Sequence, residues 1–309
     1  MTAKMTNSAF LLKLGDGSGW VIIAAPGTRS WVEKFATIMQ LKAHGQDRHH
    51  KWFRIFFFLK DSEKDGDVKT INLIGSKIGE DLPRSGWKVH DFRSLRLWYH
   101  RAVPDTLCEI GSEGNYELDI MRMWTVLYII YLRVQHSGGF PLHAALVERD
   151  GKGILLVGPG GSGKSTLCRR FPRPWCVLSD DQALLVRDGR KRYLAHPIPT
   201  WSDYVFRRSE RGWNVEHYLP LAAIFFIEQA RCDEVVPMGQ EQAAVFINHS
   251  STDVCRPIWW NLSNGEGRKL KKKNFSNACE LARVIPAYIL RVGLNGRFWN
   301  AMEKVLQDA

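Results

Sequence analysis

The sequence predicts an α/β fold with a mixed sheet, preceded by a smaller α+β region. Two patterns support this prediction. An apolar run at 154–157 leads into the glycine-rich stretch GPGGSGKS at 158–165, and a short helix is predicted at Lys164–Arg170. Just before it, two apolar runs flank Asp150 and Gly151, a dipeptide that is typical of a tight β-hairpin. A hairpin next to a strand–loop–helix unit combines antiparallel and parallel pairing, so we expect a mixed sheet.

The hairpin also predicts a register. With Asp150 and Gly151 as the two turn residues, residue 149 pairs with 152 and 148 with 153, until His143 lies opposite Gly158. A slip of one residue would turn His143 to the other face of the sheet. The prediction that His143 lies beside the glycine-rich stretch therefore depends on the two-residue turn.

The N-terminal residues 1–115 are predicted to form an α+β domain whose role is left open. Two strands flank a turn within residues 9–25, and an amphipathic helix at 30–41 has Ser30 as its expected N-cap. Further strands are predicted at 54–59, 71–74, 87–90 and 95–100. The polar, glycine-containing stretch 109–117 marks the expected boundary with a second domain, residues 116–309.

The second domain is predicted to alternate between helices and strands. The predicted helices cover 118–135, 240–247, 277–284 and 296–306, and the predicted strands cover 175–178, 183–186, 193–196, 222–227 and Ala287–Val292. The strands at 183–186 and 193–196 form a hairpin around Asp188 and Gly189. An irregular segment is expected to follow at 197–213, and the basic run RKLKKK at 268–273 is expected to be a mobile loop.

Composition indicates a cytoplasmic protein. The six cysteines form no C-x-x-C pair and are expected to be reduced, buried thiols, and no signal peptide is evident. The longest apolar run, 123–132, is too short to span a bilayer. The net charge of +11 suits an acidic partner, but a solvated basic surface explains it as well. We expect no nucleic-acid partner, and a homo-oligomer is left open.

The stretch GPGGSGKS fits the phosphate-loop (Walker A) pattern G-x-x-x-x-G-K-[ST] at every fixed position. Glycines allow successive backbone N–H groups to turn inward and surround phosphate oxygens. Lys164 would reach the β- and γ-phosphates, and the Ser165 hydroxyl would bind Mg²⁺. The alternative is a glycine-rich turn that matches by chance. The motif predicts that the chain binds ATP with Mg²⁺, with GTP or pyrophosphate left open as donor, through Gly158, Pro159, Gly160, Gly161, Ser162, Gly163, Lys164, Ser165 and Thr166.

Asp180 and Asp181 follow a predicted strand, only sixteen residues after Lys164. In phosphoryl transfer, one such carboxylate can hold Mg²⁺ while the other accepts the proton of the attacking hydroxyl. The alternative is a solvated turn.

A histidine on a hairpin, the glycine-rich loop, a short helix and the sequence SDD resemble the catalytic core of HPr kinase/phosphorylase, which is shared with phosphoenolpyruvate carboxykinases. Over roughly residues 138–205 the chain is similar to the HPr-kinase-like proteins of SynChlorMet-type cassettes, which are encoded beside radical-SAM enzymes, and to lasso-peptide kinases. The resemblance implies that Asp180 is the general base and that Asp181 binds the metal. The reverse assignment is left open. It also implies that His143 orients the base or approaches the transferred phosphate.

The chain also departs from true HPr kinases. Thr166 stands where they have Glu, and AHPIPTW replaces their later Glu-Ile-Arg-Gly-Leu-Gly signature. These differences argue against a phosphorylase reaction and against HPr as the substrate.

The motif and the resemblance together predict a phosphotransferase, an ATP-dependent kinase that acts on a Ser or Thr hydroxyl of a peptide or protein. The expected substrate is a ribosomally made peptide of the same gene cassette. Candidate substrate contacts are His196, Arg207, Arg208 and Arg211. Two alternatives stay open: a small-metabolite kinase of the same fold, and a nucleotide-gated peptide-binding module without turnover.

Overall fold

The computed structural model describes residues 8–25, 27–45, 52–60, 83, 85–92, 95–100, 103–112, 114–259 and 262–307. Its contacts divide the described residues into two compact units, each discontinuous in sequence. The first takes its residues from Met1–Lys13, Ser18–Ile129 and Trp201–Gly212, and the second from Leu14–Gly17, Ile130–Thr200 and Trp213–Ala309. The predicted single boundary after residue 115 falls within the first unit.

The described residues of the first unit form a mixed sheet of seven strands. They are β1 (Ala9–Lys13), β2 (Gly19–Ala24), β3 (Lys42–Ala43), β4 (Phe53–Leu59), β5 (Trp87–Asp91), β6 (Leu95–His100) and β7 (Val103–Ile110). Their order is β3-β1-β2-β4-β7-β6-β5, with β2, β4 and β7 parallel to one another and the outer pairs antiparallel. Alternate residues of β4 pack with Trp98 and Leu107 on one face. The strand predicted at 71–74 lies outside the described residues, and β7 was not predicted.

The helices of the first unit differ in detail from the predicted ones. Helix α1 (Arg29–Ile38) has Thr28 at its N-cap, so Ser30 lies inside the helix and the predicted cap is wrong. The Thr28 hydroxyl is buried and has two carbonyl acceptors for its one proton, Ala25 O at 2.9 Å and Phe57 O at 3.0 Å. Helix α2 (Tyr116–His136) contains the predicted helix at 118–135, but the division between the two units falls within it, after Ile129. A short helix, α4 (Trp201–Val205), replaces part of the segment predicted to be irregular.

The second unit contains a mixed sheet of nine strands. They are β8 (Phe140–Leu142), β9 (Ala144–Arg149), β10 (Lys152–Val157), β11 (Cys176–Ser179), β12 (Gln182–Arg187), β13 (Tyr193–Ile198), β14 (Leu219–Gln229), β15 (Glu234–Pro237) and β16 (Ala287–Val292). Seven follow the order β11-β9-β10-β14-β13-β12-β8, while β16 pairs with β14 and β15. β10, β14 and β16 are parallel, and the β9–β10 hairpin is antiparallel, so the predicted mixed sheet is confirmed.

Helices cover both faces of this sheet. On one face, Leu146 and Leu155 pack with residues of α5 (Gln240–Trp259) and α6 (Asn264–Val284). On the other, their neighbours Val147 and Ile154 pack with α3 (Lys164–Arg170) and α7 (Phe298–Gln307). Successive side chains of a strand point to opposite faces of the sheet, so the apolar residues of β9 and β10 contribute alternately to the two hydrophobic cores.

Two predictions for the second unit are wrong. The basic run at 268–273 is not a loop, because it forms the early turns of α6. The six cysteines form no disulfide, but Cys176 and Cys232 are exposed rather than buried. Among the described helices, none combines the length and apolar character that crossing a bilayer requires.

Candidate functional site

The glycine-rich loop connects β10 to α3, as predicted. Gly161 and Gly163 have φ values of +79° and +99°, which residues with a side chain rarely adopt. Apart from the two neighbouring residues in the chain, a Cβ on Gly160, Gly161 or Gly163 would meet no atom of the described residues within 4 Å. A Cβ on Gly158 would lie 2.5 Å from Ser162 Oγ, so the loop closes on itself at that end. The Ser162 oxygen is buried and has no hydrogen-bond partner among the described residues. The loop therefore leaves open space beside its glycines.

The side chain of Lys164 lies across the start of this loop. Its Nζ donates to Gly158 O at 2.6 Å and to Pro159 O at 3.3 Å. Burial lowers the pKa of Lys164, while the carboxylates of Asp181 and Asp180 act in the opposite direction. An ammonium has three N–H donors, so these two carbonyls leave one for another acceptor. Ser165 and Thr166, the next two residues of α3, are exposed.

The predicted hairpin register is confirmed over six pairs. Asp150 and Gly151 both have positive φ values, +53° and +73°, as a two-residue turn of this kind requires. The pairs run from Arg149 with Lys152 to Ala144 with Val157, where the ladder ends. His143 is thus one residue beyond the ladder, and the predicted pair of His143 with Gly158 is not part of it.

The backbone of His143 is held by α5 instead. His143 N–H donates to Ser250 O at 3.4 Å, and Ser250 Oγ donates to His143 O at 3.1 Å. These two bonds fix the position at which the chain passes from β8 to β9.

Strand register explains why the histidine meets the aspartates. Leu142 pairs with Ala183 between β8 and β12, and Leu146 pairs with Ser179 between β9 and β11. Residues 143–145 and 180–182 therefore lie opposite each other in the gap between the two ladders. In this gap His143 Nε2 lies 3.3 Å from Asp181 Oδ1. The resemblance implied that His143 lies beside the base, with Asp180 preferred for that role and Asp181 left open, or beside the transferred phosphate; in the structure its aspartate partner is Asp181.

Asp180 has its own hydrogen-bond partner. Thr200 Oγ1 donates to Asp180 Oδ1 at 2.7 Å. Ser179 Oγ, fully buried, donates to Gln182 O at 2.8 Å and so closes the short turn that contains both aspartates. The two adjacent carboxylates therefore have different neighbours, a threonine hydroxyl for Asp180 and a histidine ring for Asp181.

The oxygen atoms at this site suit Mg²⁺ better than they suit a metal ion that is coordinated entirely by protein side chains. No group of three or more His, Cys, Asp or Glu side chains among the described residues is arranged to hold a metal ion. Mg²⁺ needs no such group, because it keeps several waters and takes one or two carboxylates together with phosphate oxygens. Asp181 and the exposed Ser165 hydroxyl are oxygen donors of the required kind.

Comparison with known proteins assigns the chain to a family. The family model described as SynChlorMet cassette protein ScmC matches residues 106–307. The chain belongs to this family. The matched region includes the glycine-rich loop, His143, Asp180 and Asp181. No curated protein is a match to the chain.

His196, a predicted substrate contact, has a structural role in this ScmC-family chain. The side chain is fully buried, and Nδ1 lies 2.7 Å from Val215 O while Nε2 accepts from Gly15 N–H at 3.1 Å. The Nε2 contact requires an acceptor, so the proton lies on Nδ1 and the ring is neutral. Burial lowers the pKa of His196 to about 4, in agreement with this tautomer. Both ring nitrogens are therefore used by the main chain.

The three predicted arginine contacts lie in the other compact unit. Arg207, Arg208 and Arg211 belong to Trp201–Gly212 of the first unit and are exposed. Arg207 lies 3.3 Å from Glu117 and over the ring of Tyr116, both in the same unit. Their predicted role as a phosphate or substrate clamp stays a prediction.

Sequence reasoning missed three residues of the site. Thr200 lies opposite Asp180 because β12 pairs Gln182 with Ile198, but this register depends on the connection 188–192, which the predicted turn around Asp188 and Gly189 does not specify. Ser250 and Asp253 had no local signal, since they lie on α5 and approach the site only through tertiary packing. Asp253 is close enough to act on the pKa of Lys164, in the same direction as the two aspartates.

Proposed function

We propose that the chain is an ATP-dependent kinase with a P-loop core of the HPr-kinase-like type. It would transfer the γ-phosphoryl group to a Ser or Thr hydroxyl of a peptide or protein. The observation that favours this function most is that Lys164 lies over two carbonyls of the glycine-rich loop, with the carboxylates of Asp181 and Asp180 near enough to raise its pKa against the effect of burial. Binding a phosphate alone would require the lysine but not the pair of carboxylates.

The nucleotide side of the proposal rests on the loop and Lys164. The open space beside Gly160, Gly161 and Gly163 gives phosphate oxygens access to the loop backbone. Lys164 is already held over the loop by two carbonyl contacts, so little side-chain entropy remains to be lost when it binds a phosphate. These features support the predicted roles of Lys164 and of residues 158–166.

Asp180 is the proposed general base. Thr200 engages its Oδ1 atom, which orients the carboxylate so that Oδ2 can accept the proton of the acceptor hydroxyl. A general base must be ionised, and an ionised carboxylate can only accept hydrogen bonds. A donor such as the Thr200 hydroxyl is therefore a suitable partner for Asp180.

Asp181 and Ser165 are the proposed Mg²⁺ ligands, with His143 as a positioning residue. Ligating carboxylates are commonly hydrogen-bonded by a further side chain, and His143 lies within reach of Asp181 Oδ1. Bound Mg²⁺ would neutralise charge on the β- and γ-phosphates. The two Ser250 contacts hold the His143 backbone at the gap where Asp181 lies.

Mass measurement of candidate substrates tests the proposal. The protein is incubated with ATP, Mg²⁺ and each peptide encoded beside its gene, and a peptide that gains the mass of one phosphate identifies a kinase. Lys164→Ala should abolish this gain, whereas Arg169→Ala, an exposed basic residue on the same helix, should preserve it. ATP hydrolysis with only a small metabolite phosphorylated would select the metabolite kinase. Nucleotide-dependent peptide binding without any mass gain would select the binding module.

A further inference from the structure

The early turns of α6 present a dense basic surface in the second unit. Five of the six residues at 268–273 are Lys or Arg, and the sixth, Leu270, is buried in the core. Arg268, Lys269, Lys271 and Lys272 are exposed, and Lys273 is half-buried. None of these five side chains forms an ion pair within the described part of the chain. We refer to these five residues as the α6 basic face.

A buried polar network fixes which side of α6 is exposed. Asn274 accepts from Ser251 Oγ and Gln135 Nε2 and donates to Asn248 Oδ1, at distances of 2.9–3.1 Å. Asn277 donates to Gln135 O and Gly139 O at 2.8 and 3.0 Å. Both asparagines are fully buried, so a rotation of α6 would leave several buried polar groups unpaired. The α6 basic face is therefore held towards solvent.

Like charges three and four positions apart on a helix repel each other and weaken it. On α6 the pairs Arg268–Lys272 and Lys269–Lys273 are of this kind. Ordinary solvated helix surfaces intersperse both signs of charge. A cluster of one sign, held by a rigid network, creates a local positive potential that attracts an anionic partner.

The network also connects the α6 basic face to the candidate site. Asn274 is hydrogen-bonded to Asn248 of α5, and Ser250, two residues further along α5, holds the backbone of His143. Lys271 Nζ, on α6, lies 5.9 Å from the ring of Trp259, the last residue of α5. The exposed Phe275 follows Lys271 by one helical turn and adds an apolar contact to the basic surface.

We propose that the α6 basic face docks an acidic segment of the peptide substrate while its hydroxyl is phosphorylated at the site. This inference rests on the proposed kinase function. A peptide with acidic and apolar side chains fits five basic groups with one exposed aromatic ring. An anionic membrane is a poorer fit, because the apolar side of α6, with Leu270, Ala278 and Leu281, is already buried in the core.

The test uses two fluorescein-labelled peptides with the same central Ser, one preceded by six Glu residues and the other by six Gln residues. Anisotropy without nucleotide should show binding of the Glu peptide, weakened roughly tenfold in the double variant Lys269→Glu/Lys272→Glu and by added salt. The matched control, Arg190→Glu/Lys191→Glu, makes the same charge change at an exposed turn and should leave binding unchanged. In the kinase assay the α6 variant should raise KM for the Glu peptide and leave kcat unchanged.

The outcomes separate docking from catalysis. Equal binding of both peptides, or equal loss in the two double variants, would overturn the docking proposal even if phosphate is transferred. Binding that depends on α6 without phosphate transfer would leave docking in place and remove the kinase. Charge-dependent binding of phosphatidylserine vesicles or of a DNA oligonucleotide, with no binding of the Glu peptide, would assign the α6 basic face to another partner and contradict the proposal.

Discussion

The Thr200 hydroxyl donates to Asp180 Oδ1 at 2.7 Å, across the open end of the β12–β13 hairpin. Thr200 is buried, so its hydroxyl has little access to water as an alternative partner. The bond connects the aspartate turn after β11 to the segment that leaves β13. In the proposed kinase it sets the direction from which Asp180 approaches the acceptor hydroxyl.

Thr200→Val should lower kcat about tenfold, because the base loses the donor that orients it. The KM for ATP should stay the same, since no nucleotide contact is removed. Thr200→Ser retains the hydroxyl and should recover most of the activity. Steady-state kinetics of the three proteins make the comparison. Equal losses in the Val and Ser variants would show that Thr200 acts through packing instead.

Asp180→Asn and Asp181→Asn should have different effects. Asp180→Asn should reduce kcat by several orders of magnitude while nucleotide binding is retained, because an amide cannot accept the proton. Asp181→Asn should raise the Mg²⁺ concentration required for nucleotide binding, since a neutral oxygen is a weaker ligand. Titration calorimetry and kinetics at several Mg²⁺ concentrations measure both effects. Exchanged phenotypes would reverse the two assignments.

His143→Ala should weaken Mg²⁺-dependent activity by roughly 10–100-fold, the usual effect of removing a residue that orients a metal ligand. Saturating Mg²⁺ should restore most of kcat. His217 forms a comparable but exposed contact, 4.0 Å from Glu148, and His217→Ala serves as the control. A loss of kcat in His143→Ala that Mg²⁺ does not restore would instead indicate direct contact with the transferred phosphate.

His196 should make the protein less stable in mild acid. Burial lowers its pKa to about 4, against 6.5 in the unfolded chain, so the unfolded state binds a proton that the native state does not. The contribution of neutral His196 is complete above about pH 6.5 and is lost as the pH falls towards 4, by about 1.4 kcal/mol per pH unit. The free energy of unfolding can be measured with urea near pH 7 and about pH 5. Between these two pH values it should fall by about 2 kcal/mol more in the wild type than in His196→Asn. Equal drops would exclude this linkage.

Local signals predicted the elements around the glycine-rich loop well. The dipeptide of Asp150 and Gly151 specified both the turn and six residue pairs, and α3 has the predicted bounds. Both depend on short-range backbone chemistry, namely the φ values that glycine permits and the helix stop before the prolines at 172 and 174.

One local signal was overlooked. Ser263 and Glu266 match the S-x-x-E sequence pattern of a capping box, and Ser263 Oγ accepts from Glu266 N–H and donates to Glu266 Oε2. This pattern predicts a helix that begins at residue 264, and it would have placed the basic run on α6 rather than in a loop.

The partner of His143 could not be predicted from local sequence. It depends on the register of β8 with β12 and of β9 with β11, and the two strands of each pair are not consecutive in the chain. The anchor from Ser250 likewise requires α5 to pack against the end of β8. Long-range pairing of this kind follows from the whole fold and has no signature in a short window.

Transfer of radiolabel from the γ-position of ATP to a serine peptide measures the proposed kinase activity itself. We expect Mg²⁺-dependent labelling of the peptide by the wild-type protein and a loss of several orders of magnitude in Lys164→Ala, with circular dichroism showing that the variant is folded. The Lys164 ammonium contacts two loop carbonyls and is the group proposed to bind the β- and γ-phosphates. Labelling at a near-normal rate in Lys164→Ala would show that Lys164 does not bind the transferred phosphate, and the proposed mechanism would fail.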